Sequence, residues 1–91
     1  MTSKVRDNPD KGRFELELGG QVVFARYARH GPVLVIPYVE APLALRGTGA
    51  ASQLMAGGME IARTEGLKVR PLCSYASVWM HRHREYHDLL G

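Results

Sequence analysis

Apolar and charged residues alternate over Phe14-Glu15-Leu16-Glu17-Leu18, the period-two pattern of a strand with one buried face. Gly19-Gly20 follows, a dipeptide suited to a tight hairpin turn. Gln21–Ala28 is rich in β-branched and aromatic residues and is predicted as the partner strand. His30-Gly31-Pro32 predicts the next turn. Val33–Val39 is apolar at almost every position, so it is predicted as a strand inside the sheet with both faces apolar. Pro37 has no N–H to donate to a ladder, which predicts a bulge or an end to pairing there.

Ala41–Leu45 is predicted as a connecting loop, and the period then changes. From about Gly49 to Glu65, Ala51, Leu54, Met55, Gly58, Ile61 and Ala62 recur at three- and four-residue spacing, which predicts an amphipathic helix. Gly57-Gly58 costs such a helix about 1 kcal/mol per glycine relative to alanine, and the pair predicts close packing against the sheet. Gly66 ends the helix. Leu67–Cys73 reads as a short strand, made parallel to the third by the strand–helix–strand order. Ser74-Tyr75 leads into a last helix, Ala76–Leu90, with Val78, Trp79, Tyr86, Leu89 and Leu90 available to the core. The fold class is α+β, in the order β-β-β-α-β-α. Its sheet is mostly antiparallel with one parallel crossover strand, and helices pack on it.

Composition narrows the class. A chain of 91 residues, 45% hydrophobic and 23% charged, suits one small globular domain spanning residues 1–91. Met1–Gly12 is polar and is expected to be loosely held. The net charge is +3, with nine Arg against three Lys, and Arg is the better partner for phosphate or carboxylate. The basic residues form no stripe, so no specific nucleic-acid partner is expected. Cys73 is alone, which rules out an internal disulfide. No signal peptide or bilayer-length apolar run is present, so the expectation is a cytoplasmic protein without a membrane partner.

Candidate chemistry centres on Arg46-Gly47-Thr48-Gly49-Ala50-Ala51. Two glycines and small residues leave the backbone bare where a helix begins, and bare N–H groups there bind anions, most often phosphate. The N–H groups from Gly47 to Ala51 are the candidate donors, and Arg46 adds positive charge. The bland alternative is a plain loop before a helix. Cys73 is either a small buried residue or a nucleophile beside the start of the last helix. Glu40 is either a solvated carboxylate or a general base for an ammonium substrate. Tyr75 is either a wall aromatic or an acid. His83 and His87 share a face of the predicted last helix, but no third ligand accompanies them, so no metal site is expected.

The segment Arg46–Ala51 fits the (Arg/Gln)-x-x-Gly-x-(Gly/Ala) signature, and the chain resembles the GNAT superfamily of acyl-CoA-dependent N-acetyltransferases. The resemblance runs from about Val5 to Leu90 and favours the very small, single-domain branch. Arg13-Phe14-Glu15-Leu16, Glu40-Ala41-Pro42, Pro71-Leu72-Cys73-Ser74-Tyr75 and Glu85-Tyr86-His87-Asp88-Leu89-Leu90 carry it. It implies a strand splayed from its neighbour and a cofactor, acetyl-CoA (coenzyme A), in the gap. Arg46, Gly47, Thr48, Gly49, Ala50 and Ala51 would hold the pyrophosphate, and the backbone at Val39, Glu40 and Ala41 the pantetheine. Cys73, Glu40 and Tyr75 become the catalytic candidates, and the second partner is an amine acceptor. One departure stands out: Tyr38-Val39 occupies the place where that branch carries His-Thr. The resemblance also implies that elements which build the acceptor site in larger members are missing. Two other readings follow: a non-catalytic coenzyme A or acyl-CoA binding module acting with a partner protein, and a basic RNA-associated domain.

Overall fold

A computed structural model describes residues 4–91. Five strands form one sheet in chain order: β1 (Arg6–Asn8), β2 (Arg13–Leu18), β3 (Gln21–His30), β4 (Val33–Glu40) and β5 (Lys68–Pro71). The first three pairings are antiparallel and β4–β5 is parallel. Helix α1 (Ala50–Thr64) makes the crossover, and α2 (Ser74–Arg82) follows β5. The hairpin turn has both glycines at positive φ, Gly19 at 56° and Gly20 at 79°, the conformation that matches the strand twist.

Alternation decides which face is covered. Phe14, Leu16, Val23, Ala25, Leu34, Ile36 and Val69 point inward from the strands. They join Leu54, Met55, Met59 and Ala62 of α1 and Ala76, Trp79 and Met80 of α2 in one cluster. Both helices therefore pack on one face. The opposite face carries Arg13, Phe24, Arg26, Val35, Tyr38, Glu40 and Arg70, all at least partly accessible. The expectation that β4 is apolar on both faces holds, yet Val33 and Val35 stay half-buried because no helix lies over them.

The bulge expected at Pro37 is present. Arg26 pairs with Tyr38 and Ala28 with Val35, so Ile36 and Pro37 together oppose Tyr27. One extra residue reverses the side-chain phase of β4. Leu34 and Ile36 point inward before the bulge; Val39 packs inward after it, and Tyr38 and Glu40 emerge on the open face.

Four expectations need correcting. Met1–Gly12 is not loose throughout: Arg6–Asn8 forms β1, while Met1–Ser3 lie outside the described residues. The cause is a cluster on the open face. Glu15 is buried and receives Arg6 at 3.0 Å, Asn8 at 3.2 Å and Arg13 at 2.6 Å. The inward face of α1 is rotated slightly, so Met59 is buried while Ala51 and Ile61 are half-exposed. The last helix breaks at His83, and Arg84–Leu89 continues as a 3-10 helix. His83 stacks on Trp79 with centroids 3.8 Å apart, and its Nδ1 lies 2.7 Å from the Trp79 carbonyl. The break turns the chain so that Leu90 bridges Val69 along the edge of β5. Val78 and Leu90 are accordingly exposed, not core, whereas Trp79, Tyr86 and Leu89 are buried.

Burial pushes the Glu15 carboxyl up, but hydrogen bonds from Arg13, Asn8 and Arg6 and the charge of Arg13 outweigh it, leaving the group below its ordinary 4.5. Its contribution to stability is therefore complete above the unfolded value and fades as pH falls through the lower folded one. Glu15→Gln is expected to cost about 1–3 kcal/mol at neutral pH. The deficit should shrink as the wild type is acidified, which urea unfolding at several pH values checks.

Candidate active site

The parallel pairing ends at Ile36 opposite Pro71. There the Ile36 carbonyl accepts N–H groups from Leu72 at 2.9 Å and Cys73 at 3.3 Å. Beyond that point the chain turns into α2, and β4 runs on without a partner on that side. The separation opens a cavity of about 420 Å³. One side is the end of β4 and the loop after it, from Tyr38 to Ala41. The other is Leu45–Gly47 and the start of α1, from Gly49 to Ser52, with Tyr75 of α2 completing the wall.

Glycines shape the α1 end. Gly47 and Gly49 sit at φ 79° and 84°, in the left-handed region that favours glycine. Gly49 caps α1 without a side-chain hydrogen bond, and the first turn of α1 bears no acidic side chain. Two N–H groups are satisfied inside the loop: Thr48 donates to the Leu45 carbonyl at 3.3 Å and Ala50 to Thr48 Oγ1 at 3.3 Å. Those of Gly47, Gly49, Ala51 and Ser52 meet no acceptor among the described residues. This narrows the donors expected from Gly47 to Ala51 and adds Ser52. Four free donors with the positive end of a fifteen-residue helix behind them suit an anion. Arg46 Nε donates to the Ala41 carbonyl at 3.1 Å, which ties the loop to the end of β4 and keeps a guanidinium on the cavity rim.

The expected residues do not all converge. Val39, Glu40, Ala41, Arg46, Gly47, Gly49, Ala50, Ala51 and Tyr75 line the cavity, whereas Thr48 and Cys73 do not. Thr48 braces the loop from behind. Cys73 is the N-cap of α2, and its Sγ accepts the Ala76 N–H at 3.3 Å. Burial, and after it the neighbouring Cys73, push the Tyr75 phenol above its ordinary 10.0, so it holds its proton at neutral pH. Glu40 accepts a short hydrogen bond from the Tyr38 hydroxyl. That bond, ahead of desolvation and the Glu40 charge, raises the Tyr38 phenol.

Three lining residues escaped the sequence reading: Tyr38, Leu45 and Ser52. Ser52 carried a usable signal, since it stands three residues after Gly49 and so in the first turn of the helix. Its Oγ accepts the Trp79 indole N–H at 2.8 Å, which leaves its own proton free to donate. The expected His83–His87 face does not form, because the helix breaks between them. Among the described residues, no three His, Cys, Asp or Glu side chains gather closely enough to hold a metal. No helix in the described part is long and apolar enough to cross a membrane.

The model of the GCN5-related N-acetyltransferase family matches residues 13–89. No curated protein matches the chain. The NMR solution structure of a GCN5-like candidate N-acetyltransferase from Staphylococcus aureus superposes with a TM-score of 0.69. The match covers 100% of this chain and 91% of that one at 18% sequence identity. At that identity the likeness bears on the fold, and it agrees with the mixed five-stranded sheet and its single parallel pair.

Proposed function

The chain belongs to the GCN5-related N-acetyltransferase family, and on that premise we propose that it transfers an acetyl group from acetyl-CoA to an amine. The observation that carries this reading is the set of free N–H groups at Gly47, Gly49, Ala51 and Ser52 on the wall of the cavity between β4 and α2. These groups, with Arg46, would hold the pyrophosphate. The unpaired edge of β4 at Val39–Ala41 would hold the pantetheine in strand-like fashion, which brings the thioester toward Tyr75. The single free thiol suits a reducing, cytoplasmic setting.

The acceptor arrives as an ammonium ion and passes one proton to Glu40, directly or through water. Its nitrogen lone pair then attacks the thioester carbonyl carbon. The C–S bond breaks, the departing thiolate takes a proton from Tyr75, and the attacking nitrogen gives up its second proton to restore the phenol. The products are an N-acetyl amide and coenzyme A, with one net proton released. Most of the acceleration in such a site comes from holding two reactants together and from backbone donors facing the developing oxyanion.

Cys73 keeps two possible roles, capping residue and nucleophile, which intact mass separates. Wild-type protein mixed with acetyl-CoA gains one acetyl group that Cys73→Ala does not gain only if Sγ attacks the thioester. Tyr75→Phe is expected to lower kcat roughly tenfold, below the usual hundredfold or more for general acids because water substitutes for the phenol, while the acetyl-CoA Kd stays unchanged. The reading as a whole is tested by calorimetric titration of acetyl-CoA, followed by thiol release with a panel of amines. Absence of binding at millimolar acetyl-CoA would overturn it.

A further inference from the structure

The cavity lining joins the two sides of the sheet: the start of α1 on the helix-covered side, and Tyr38 and Glu40, the two residues that the bulge turns outward onto the open face. In the ladder next to these two, Arg26 stands opposite Tyr38 and Phe24 opposite Glu40. The Phe24 and Tyr38 rings lie 6.1 Å apart and form an aromatic floor. The Arg26 guanidinium hangs over both, 5.8 Å from the first ring and 5.5 Å from the second.

The charges on this floor are separated and largely unused. The Arg26 guanidinium forms no ion pair or hydrogen bond among the described residues. Its neighbour Arg13 is committed to Glu15, which also takes Arg6, and lies over the Phe24 ring at 4.3 Å from its centroid. Glu40 accepts from Tyr38 through one oxygen, which leaves the other available. An unpaired cation and an anion thus flank the Tyr38 ring without closing on each other, while Arg13 covers Phe24 beside them. Guanidinium groups bind planar anions through paired N–H donors, and stacking on aromatic faces orients them for it.

We propose that this patch binds the acceptor, and that the acceptor is an amine bearing a carboxylate a few bonds away, of amino-acid type. Its ammonium group lies on Glu40 in the cavity lining, and its carboxylate pairs with Arg26. Tyr38, with Phe24 beside it, carries its carbon skeleton. The proposal rests on the acetyltransferase reading for its consequence in turnover, but the binding it describes does not require the cofactor.

The test uses matched pairs that differ by the carboxylate alone: β-alanine against ethylamine, and phenylalanine against phenethylamine. NMR titration of the protein without acetyl-CoA is expected to shift the Phe24, Arg26 and Tyr38 amides with the amino acids and much less with the decarboxylated amines. With acetyl-CoA present, thiol release should favour the amino acid of each pair at least tenfold in kcat/KM. Arg26→Gln should bring that ratio close to one, mainly through KM, and Arg26→Lys should restore part of it. Arg26 is exposed, so neither variant disturbs the core. Equal response to both members of a pair, in shift and in turnover, overturns the proposal. So does an Arg26→Gln variant that keeps the wild-type ratio. Amino-acid shifts on the open face without acetyl-CoA binding would support the acceptor patch while removing the acetyltransferase reading.

Discussion

Gly49→Trp is expected to weaken acetyl-CoA binding about a thousandfold, or some 4 kcal/mol, measured by calorimetric titration against the wild type. The physical case has two parts. Gly49 caps α1 at φ 84°, and no atom lies within 4 Å of a Cβ placed there. Gly49 lines the cavity, so an indole there competes for the volume that a pyrophosphate would occupy. A side chain in the left-handed region also costs about 1–2 kcal/mol, which pulls the loop from the geometry that aims the Gly47, Ala51 and Ser52 donors. Gly49 is itself exposed and outside the core, so circular dichroism should report an intact fold. Wild-type affinity in Gly49→Trp would show that the cofactor does not use this helix start.

The second large effect concerns stability. A Cβ on Gly58 would stand 2.8 Å from Cδ2 of Phe14 and 3.2 Å from its Cε2. Phe14 is buried and packs on Tyr27 at 5.0 Å between centroids, and the Tyr27 hydroxyl is held by Asp7. The ring has nowhere to go without disturbing that chain of contacts. Gly58→Leu is expected to destabilise the domain by about 3 kcal/mol through overpacking, lowering Tm by roughly 15 °C in a chain of this size. A chain of this length has a total stability of only about 5–14 kcal/mol, so the variant loses from about a fifth to more than half of it. Thermal unfolding gives the answer, and a Tm within a degree or two of the wild type would mean that α1 sits further from β2.

Local signals made most of the elements legible. The alternation at Phe14–Leu18, the Gly19-Gly20 turn and the β-branched run of Gln21–Ala28 each depend on neighbours close in sequence, and each forms as expected. The glycine loop ahead of α1 was legible for the same reason, because left-handed backbone at Gly47 and Gly49 is a property of single residues. The break at His83 was not. It arises from a ring stacked on Trp79 and from the Leu90–Val69 bridge, contacts that periodicity within one segment does not encode. The same holds for β1, whose position follows from Glu15 and the three groups that donate to it. Cys73 is a different case. Its residue type and place in the chain suggested a cavity residue, while in the structure its sulfur accepts the Ala76 N–H at the start of α2.

The sequence by itself determined the order of the strands and helices from β2 to α2, an irregularity at Pro37 and the bare, glycine-rich start of α1. Backbone preference, side-chain period and missing N–H groups act over a few residues and need no distant partner. Tertiary structure alone decided which sheet face the helices cover and where β4 and β5 separate. It also decided which N–H groups remain free and that Tyr38 and Glu40 stand beside Arg26 on the open face. Those outcomes depend on register between strands and on packing between residues far apart in the chain, where a single inserted residue such as that at the β4 bulge reverses which side chains meet.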